Sequence, residues 1–80
     1  MKEEFIIGTR EVMKAIKDDK IERVVLASNA PESIKDMVKK IAEEKGIIVE
    51  EDGDELKLAT KVGKPFPIAT VGYLKGEEEE

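Results

Sequence analysis

The sequence predicts an α/β fold, a three-layer α/β/α sandwich in which helices cover both faces of a four-stranded mixed sheet. Short apolar runs with strand character alternate with segments that repeat apolar residues at helical spacing, in the order β-α-β-α-β-α-β. Glycine, proline or aspartate marks most of the boundaries between them. Helices that connect successive strands in this way favour a parallel or mixed sheet with helices on both sides.

The first part of the chain predicts two strands and the helix between them. Residues 5–7 form a short apolar run that Gly8 stops, and Thr9 can cap the helix that follows. The apolar residues on one face of that helix are Val12, Ala15 and Ile16. Residues 21–27 are dense in β-branched apolar side chains, which is typical of a strand covered on both faces.

A second helix and a third strand follow. Residues 28–31 predict a turn, and Pro31 suits the first turn of a helix. Apolar residues then recur at i, i+3, i+4, i+7 and i+8, the clearest helical period in the chain: Ile34, Met37, Val38, Ile41 and Ala42. Gly46 is expected to end this helix, and the apolar residues 47–49 predict the third strand.

The last part predicts a short helix and a final strand. Asp52 and Gly53 form a turn, and Asp54 can cap a helix that stops near Gly63. The residues expected on that helix are Leu56, Ala59 and Thr60. Residues 64–67 contain two prolines and predict a constrained loop before a strand over residues 68–74.

Charge is distributed unevenly along the chain. The 80 residues indicate one domain, and the net charge of −5 argues at first against binding to nucleic acid. Four of the 19 acidic residues form the run at residues 77–80, so residues 1–76 hold 15 acids against 14 bases, a net charge of −1. We therefore expect a single domain over residues 1–76, followed by an acidic, flexible tail at residues 77–80.

The composition excludes several classes of function. Without cysteine or histidine, the chain has neither a thiol nucleophile nor a serine–histidine pair, and the glycine-rich phosphate-binding patterns are absent. The acidic run at residues 50–55 could suit a hard cation, but a turn and a helix-capping Asp54 account for it without a metal. We expect no enzymatic activity, no cofactor and no bound metal.

Composition also bears on the protein's surroundings. Every apolar run is far shorter than the roughly 18 residues of a membrane span, so we expect a cytoplasmic protein without a membrane partner. Charged residues make up 41% of the chain, Asn29 is the one asparagine, and glutamine is absent. A Lys/Glu-rich composition poor in thermolabile amides is typical of proteins from thermophiles.

The first of three segments suited to a ligand is the helix start at residues 8–14. Unpaired N–H groups and the helix dipole attract phosphate there, and Arg10 has a planar fork that fits a phosphate or a guanine edge. Lys14 lies one turn further on the same side, with Lys17 and Lys20 beyond it. Taken alone, the segment is also consistent with an ordinary capped, solvated helix.

The other two segments are loops beside predicted strands. Phe66 stands between two prolines, so it either supports an unstacked base or packs into the core through a buried turn. Asn29 follows a predicted strand at its carboxyl end, where ligands of open α/β sheets gather, or else it forms a plain turn.

Together and in this order, the segments resemble the kink-turn RNA-binding family of ribosomal proteins L-thirty-e and L-seven-Ae. The family's Gly-x-Asn-Glu-x-x-Lys helix start corresponds to residues 8–14, and its apolar strand with a following Asn/Pro turn to residues 24–31. Its Leu-Gly-x-x-x-Gly segment corresponds to residues 58–63, and the sequence Gly63-Lys64-Pro65-Phe66 is especially like the L-thirty-e branch. The resemblance covers roughly residues 5–75 and implies the α/β/α sandwich of L-thirty-e.

The resemblance also implies recognition of a kink turn or a similar internal loop in RNA, by a ribosomal protein or a paralogue. In the family, the helix start enters the widened major groove at the kink and contacts tandem G·A pairs, while the two loops hold an extruded nucleotide. The residues carried over to the RNA stem are Gly8, Thr9, Arg10, Glu11 and Lys14. Those carried over to the extruded base are Asn29, Lys64, Pro65, Phe66 and Ile68.

The chain departs from the family pattern in three places. Arg10 stands where the strongest binders commonly have Asn, and Ala59 stands where the Leu-Gly pair has its glycine. The chain also begins just before the first strand, so the family's leading helix is missing and one sheet face is expected to expose apolar surface. The alternative function is a protein-interaction module, with a protein partner or as a homodimer, that keeps the fold but has lost RNA binding.

Overall fold

The computed structural model describes residues 4–75 and confirms the predicted α/β/α architecture and order of elements. The acidic tail expected at residues 77–80 lies outside the described residues. Within residues 4–75, none of the helices has both the length and the apolar character needed to cross a bilayer. The elements are β1 (Phe5–Ile7), α1 (Thr9–Lys17), β2 (Ile21–Leu26), α2 (Glu32–Glu44), β3 (Ile48–Glu51), α3 (Glu55–Val62) and β4 (Thr70–Leu74).

The sheet is mixed, as predicted, with its four strands in the order β1-β4-β2-β3. The last strand in the chain, β4, lies between β1 and β2 and runs antiparallel to both. The strands β2 and β3 run parallel, with Val24 beside Val49. A parallel pair cannot be closed by a hairpin, and α2 provides the crossover between these two strands.

Helices lie on both faces of the sheet. On one face, α1 and α2 cover a first core cluster made of Val12, Ala15, Ile16, Ile21, Val24, Leu26, Val38 and Ala42. On the other face, α3 contributes to a second core cluster made of Val25, Ala27, Ala30, Leu58, Ala59, Ile68, Val71 and Tyr73. Val24 and Val25 belong to opposite clusters because successive side chains of a strand point to opposite faces.

A glycine at the centre of β4 lets α1 approach the sheet closely. A Cβ atom at Gly72 would lie 2.9 Å from Cδ1 of Ile21 and 3.1 Å from Cγ1 of Val12. Both neighbours are fully buried or nearly so, at 1% and 0% exposed, and have little room to move. Because Gly72 has no side chain, α1 can pack close to β4 at this point.

The boundaries of β3 and β4 differ from the predicted ones. β4 begins at Thr70 rather than at residue 68, because the N–H of Ile68 donates to the carbonyl of Glu55 (3.2 Å) instead of to a neighbouring strand. β3 covers Ile48–Glu51 rather than residues 47–49, since the N–H of Ile47 donates back into the last turn of α2 (2.8 Å). In both places a hydrogen bond to a helix residue, rather than to a neighbouring strand, decides where the strand starts.

The buried face of α2 differs from the predicted one at Met37, and α3 also leaves one large apolar residue exposed. Met37 is 46% exposed, because the buried face of α2 is centred on Val38 and Met37 lies about 100° further round the helix. In α3 the fully buried leucine is Leu58, whereas Leu56 is 65% exposed. Thr60 is exposed as well, and its hydroxyl donates to the carbonyl of Leu56 (3.1 Å).

The helix α3 covers only part of its sheet face, and side chains of the strands themselves cover another part. Tyr73 is 8% exposed, and the guanidinium of Arg23 lies 4.2 Å from the centre of its ring. Phe5 contacts the same ring edge-on, with the ring centres 6.1 Å apart. Ile48, on the neighbouring edge strand, is 65% exposed. On this face Ile48 is therefore exposed, while Tyr73 is covered.

Candidate nucleic-acid interface

One edge of the sheet gathers the starts of α1, α2 and α3. Each of these helices follows a strand that ends at this edge, and β4 begins there. The first turn of a helix has N–H groups without intrahelical partners, at the positive end of the helix dipole. The region, termed the loop edge, comprises residues 8–14, 27–31, 52–55 and 63–70, and its backbone is suited to an anionic ligand.

The start of α1 is anchored on β4. Gly8 has φ 103°, which side chains rarely tolerate, and its N–H donates to the carbonyl of Thr70 (3.1 Å). The hydroxyls of Thr9 and Thr70 are 2.9 Å apart and hydrogen-bonded. The prediction that Thr9 caps α1 is wrong: Gly8 is the N-cap residue, and no side chain of residues 4–75 caps this helix. Its first-turn N–H groups therefore remain available to an external acceptor.

The outer face of α1 presents the charged residues predicted there. Arg10, Glu11 and Lys14 are exposed. Val12 and Ile16, at 0% exposed, hold the opposite face of the helix against the sheet. Arg10 and Lys14 are one turn apart, about 6 Å along the axis, so the two cations line the same side of the helix.

The turn after β2 is tied to the start of α3. The N–H and the hydroxyl of Ser28 both donate to the carbonyl of Gly53, at 2.7 and 2.9 Å. The carboxamide oxygen of Asn29 accepts a hydrogen bond from the N–H of Glu55 (3.0 Å), the first residue of α3. Asn29 is exposed, and its NH2 group remains a donor for an external partner.

The loop between α3 and β4 presents its residues unequally. Gly63 takes the left-handed conformation (φ 73°) that ends α3, and Lys64 and Pro65 are exposed beyond it. Phe66 is 48% exposed, so it does not pack into the core. Ile68 differs from the expectation that it faces a ligand, because it is 4% exposed and belongs to the second core cluster. It supports the loop from beneath.

Hydrogen bonds join the three predicted segments into one structure. The N–H of Ala27 donates to the carbonyl of Ala69 (2.9 Å), which links the end of β2 to the loop before β4. The carbonyl of Glu55 accepts from the N–H of Ile68 (3.2 Å), while its N–H donates to Asn29 (3.0 Å). The start of α1 joins the same network through β4. Residues far apart in the chain are thus held in fixed relative positions.

The exposed cations of the loop edge form no ion pairs with the residues that the structure describes. Among residues 4–75, Arg10, Lys14 and Lys64 have no carboxylate oxygen within 4.0 Å. The lysines beside the acidic end of β3 are paired instead, namely Lys35 and Lys39 with Glu51, and Lys61 with Asp52. A cation without a partner can contact a phosphate without first breaking an existing pair.

The acidic residues at the end of β3 are held by those lysines. The hydrogen bond from Lys39 lowers the pKa of Glu51, partial desolvation opposes the shift, and Lys35 lowers this pKa further. The hydrogen bond from Lys61 lowers the pKa of Asp52, and the same contact raises the pKa of Lys61. Both carboxylates therefore stay ionised and paired at neutral pH.

The rest of the acidic run is explained by a helix cap. The carboxylate of Asp54 caps α3, as predicted, by accepting a hydrogen bond from the N–H of Lys57 (2.8 Å). Within residues 4–75, no group of three or more acidic side chains is placed to hold a metal ion. Ion pairs and a cap therefore account for three acidic residues of this run, Glu51, Asp52 and Asp54.

Two residues that organise the loop edge were not predicted. Lys35 and Thr70 are the buried polar side chains of the described chain, at 8% and 0% exposed. The spacing of Lys35 gives a signal, because it lies three residues before Val38 and seven before Ala42 on the same face of α2. Thr70 falls within a predicted strand, and its partner Thr9 is distant in the chain, so no local pattern indicates their contact.

Comparison with known proteins places the chain in a family. The model of the ribosomal protein L7Ae/L30e/S12e/Gadd45 family matches residues 1–80. The chain belongs to this family. It is 36% identical over 75 residues to the large ribosomal subunit protein eL30 of Methanosarcina mazei, covering 94% of this chain and 70% of that relative.

Other members of the family show similar identity. The chain is 38% identical over 70 residues to a protein of Bacillus pumilus named RNA-binding protein, which covers 88% of this chain and 85% of the relative. It is 30% identical over 70 residues to eL30 of Sulfurisphaera tokodaii, covering 86% of this chain and 66% of that relative.

Solved structures confirm the fold. A protein of unknown function from Bacillus halodurans has a TM-score of 0.85 at 22% identity, covering 90% of this chain and 72% of that one. The 15.5 kD RNA-binding protein of Giardia lamblia has a TM-score of 0.85 at 23% identity, covering 91% of this chain and 62% of that one. At these identities the likeness establishes the α/β/α sandwich of the family.

Proposed function

We propose that this protein binds RNA at a kink turn or a similar internal loop, through the loop edge, as a cytoplasmic ribosomal protein or a paralogue of one. Membership of the family and the names of its relatives support RNA as the ligand. The observation that carries the proposal is structural. Three segments distant in the chain form one hydrogen-bonded edge, which presents cations that have no ion-pair partner among residues 4–75.

The start of α1 is the part suited to a distorted RNA stem. Its open N–H groups and Lys14 provide phosphate contacts, and the fork of Arg10 can donate two hydrogen bonds to a guanine edge. The major groove of regular A-form RNA is too narrow for side chains, so an element of this width needs a kinked or internally looped site. Gly8 has no side chain, so the backbone at the start of α1 can approach the RNA closely.

The two loops are the part suited to an extruded nucleotide. Phe66 is half exposed between Pro65 and Pro67, so one apolar face is available to an unstacked base. The NH2 group of Asn29 can donate to an acceptor on such a base or its backbone. Lys64 adds a positive charge beside Phe66. Stacking and hydrogen bonding of this kind give RNA recognition outside the regular helix.

A gel shift with a short kink-turn RNA tests the proposal. The protein is expected to shift this RNA at micromolar concentration or below, in 100 mM salt, and to bind more weakly as salt is raised, because phosphate contacts release counterions. The matched control RNA replaces the tandem G·A pairs with Watson–Crick pairs and removes the kink. Absence of a shift at micromolar protein, or equal affinity for both RNAs, contradicts the proposal.

The alternative of a protein-interaction module is not favoured by the family comparisons, in which the named relatives are ribosomal or RNA-binding proteins. The same experiment separates the two functions. A stable dimer or a protein complex in size-exclusion chromatography, together with no shift of either RNA, would support the alternative.

A further inference from the structure

A buried lysine lies directly behind the loop edge. Lys35 is in the first turns of α2 and is 8% exposed, although lysine is rarely buried. Its ammonium donates to the carbonyl of Ser28 (2.7 Å) and lies 3.4 Å from Oε1 of Glu51. The other carboxylate oxygen of Glu51 accepts a hydrogen bond from Lys39 (3.1 Å). The charge is therefore compensated at the junction of α2, β3 and the turn after β2.

Stability alone is a poor explanation for this arrangement. Removing an ammonium from water is costly, and a buried ion pair often contributes no more stability than well-packed apolar residues of the same size. Lys35 shares the buried face of α2 with the apolar residues Val38 and Ala42. What an apolar residue cannot do is donate a hydrogen bond to a backbone carbonyl.

The carbonyl that Lys35 engages belongs to the residue before Asn29. Ser28 is held at every polar group: its N–H and hydroxyl donate to Gly53, and its carbonyl accepts from Lys35. The Asn29 side chain is then fixed by Glu55. These contacts leave the turn little freedom, so the NH2 group of Asn29 is presented in one orientation.

We propose that Lys35 is a positioning residue for RNA binding, which orders the Asn29 turn before the RNA arrives and does not itself contact the RNA. The inference rests on the proposed function of the loop edge. Ordering the turn in the free protein removes an entropic cost from binding. Glu51 takes part by holding the ammonium in place, which gives an acidic residue a favourable role in binding an anionic ligand.

The salt dependence of binding distinguishes positioning from contact. Lys35→Met is expected to lower the affinity for a kink-turn RNA by about tenfold, as for loss of a charge-assisted hydrogen bond, without changing the slope of log K against log salt. Lys14→Ala is expected to lower that slope by roughly 0.7 to 0.9, as for one lost phosphate contact. Lys35→Arg keeps a buried cation and is expected to retain most of the affinity, while Lys40→Met, on the exposed face of α2, serves as the matched control.

For the variant Glu51→Gln, electrostatics and positioning predict opposite changes in RNA affinity. Simple electrostatics predicts tighter RNA binding when a negative charge is removed, whereas loss of positioning predicts weaker binding, by about three- to tenfold. This variant also applies if Lys35→Met does not fold, which circular dichroism would show. Unchanged affinity of a folded Lys35→Met, a slope change as large as that of Lys14→Ala, or tighter binding by Glu51→Gln would each overturn the proposal.

Hydrogen exchange separates this proposal from the function on which it rests. The amides of Ser28 and Ala30, which donate to the carbonyls of Gly53 and Ala27, are expected to exchange about tenfold faster in Lys35→Met than in the parent protein. Their exchange in Lys40→Met is expected to match the parent. If the parent protein shifts no kink-turn RNA, the proposed function fails, and the role of Lys35 in RNA binding fails with it. Unchanged exchange at these amides rejects the ordering of the turn itself, whatever the RNA result.

Discussion

Replacing Arg10 and Lys14 together with alanine is expected to lower the affinity for a kink-turn RNA by about a hundredfold. Both side chains are exposed, have no ion-pair partner among residues 4–75, and lie on one side of the helix start that faces away from the sheet. A guanine contact and a phosphate contact are removed at once. The measurement is fluorescence anisotropy with labelled RNA over a range of salt concentrations.

The single variants Lys14→Ala and Arg10→Ala are expected to affect RNA binding in different ways. Lys14→Ala should weaken binding to all RNAs alike and reduce the salt slope, whereas Arg10→Ala should also reduce the preference for the kink turn over its Watson–Crick control. The matched control is Lys20→Ala with Lys40→Ala, which removes the same charge from exposed positions away from the loop edge. A similar loss of affinity in that control would show that net charge, and not the start of α1, determines binding.

Leu58→Ala is expected to have the largest effect on stability, lowering the free energy of unfolding by about 2 to 5 kcal/mol. Leu58 is 0% exposed in the second core cluster and fastens α3 to the sheet. A loss of this size is a large part of the total stability of a small domain, which is on the order of 5 to 15 kcal/mol. Urea unfolding followed by circular dichroism measures it.

The same helix supplies the control for this prediction. Leu56, two residues earlier, is 65% exposed, so Leu56→Ala is expected to change the free energy of unfolding by less than about 0.5 kcal/mol. Since the start of α3 is bound to the Asn29 turn, Leu58→Ala should also weaken RNA binding at temperatures where the protein is still largely folded. Equal effects of the two variants on stability would contradict the packing described for α3.

The fold follows from patterns that are local in the sequence. The buried faces of α1 and the identity of each element follow from periodicity and from glycine and proline at the boundaries. Periodicity is less decisive in short helices, where two turns offer more than one apolar face. In α3, for example, the helix itself was predicted, but the pattern did not show that Leu58 rather than Leu56 is the buried leucine.

The loop edge could be predicted in part. The exposure of Arg10 and Lys14 agrees with expectation, because polar residues at a helix start lie on the surface. For Phe66 the sequence left open whether the ring is exposed or buried, and the structure decides for exposure.

The helical spacing of Lys35 indicates its burial but not its contact with Glu51. That contact, like the one between Thr70 and Thr9, joins elements distant in the chain. Such contacts leave no local pattern, and they become visible only when the strands are assembled in the order β1-β4-β2-β3.

The most direct test of the loop edge as the RNA-binding surface is a titration of 15N-labelled protein with a kink-turn RNA, followed by NMR. The largest changes in amide shifts are expected at residues 8–11, 28–29, Lys64 and Phe66, with residues 19–22 and 45–47 at the opposite end of the sheet unaffected. Changes confined to that opposite end, or to the exposed sheet face around Ile48, would contradict the assignment of RNA binding to the loop edge.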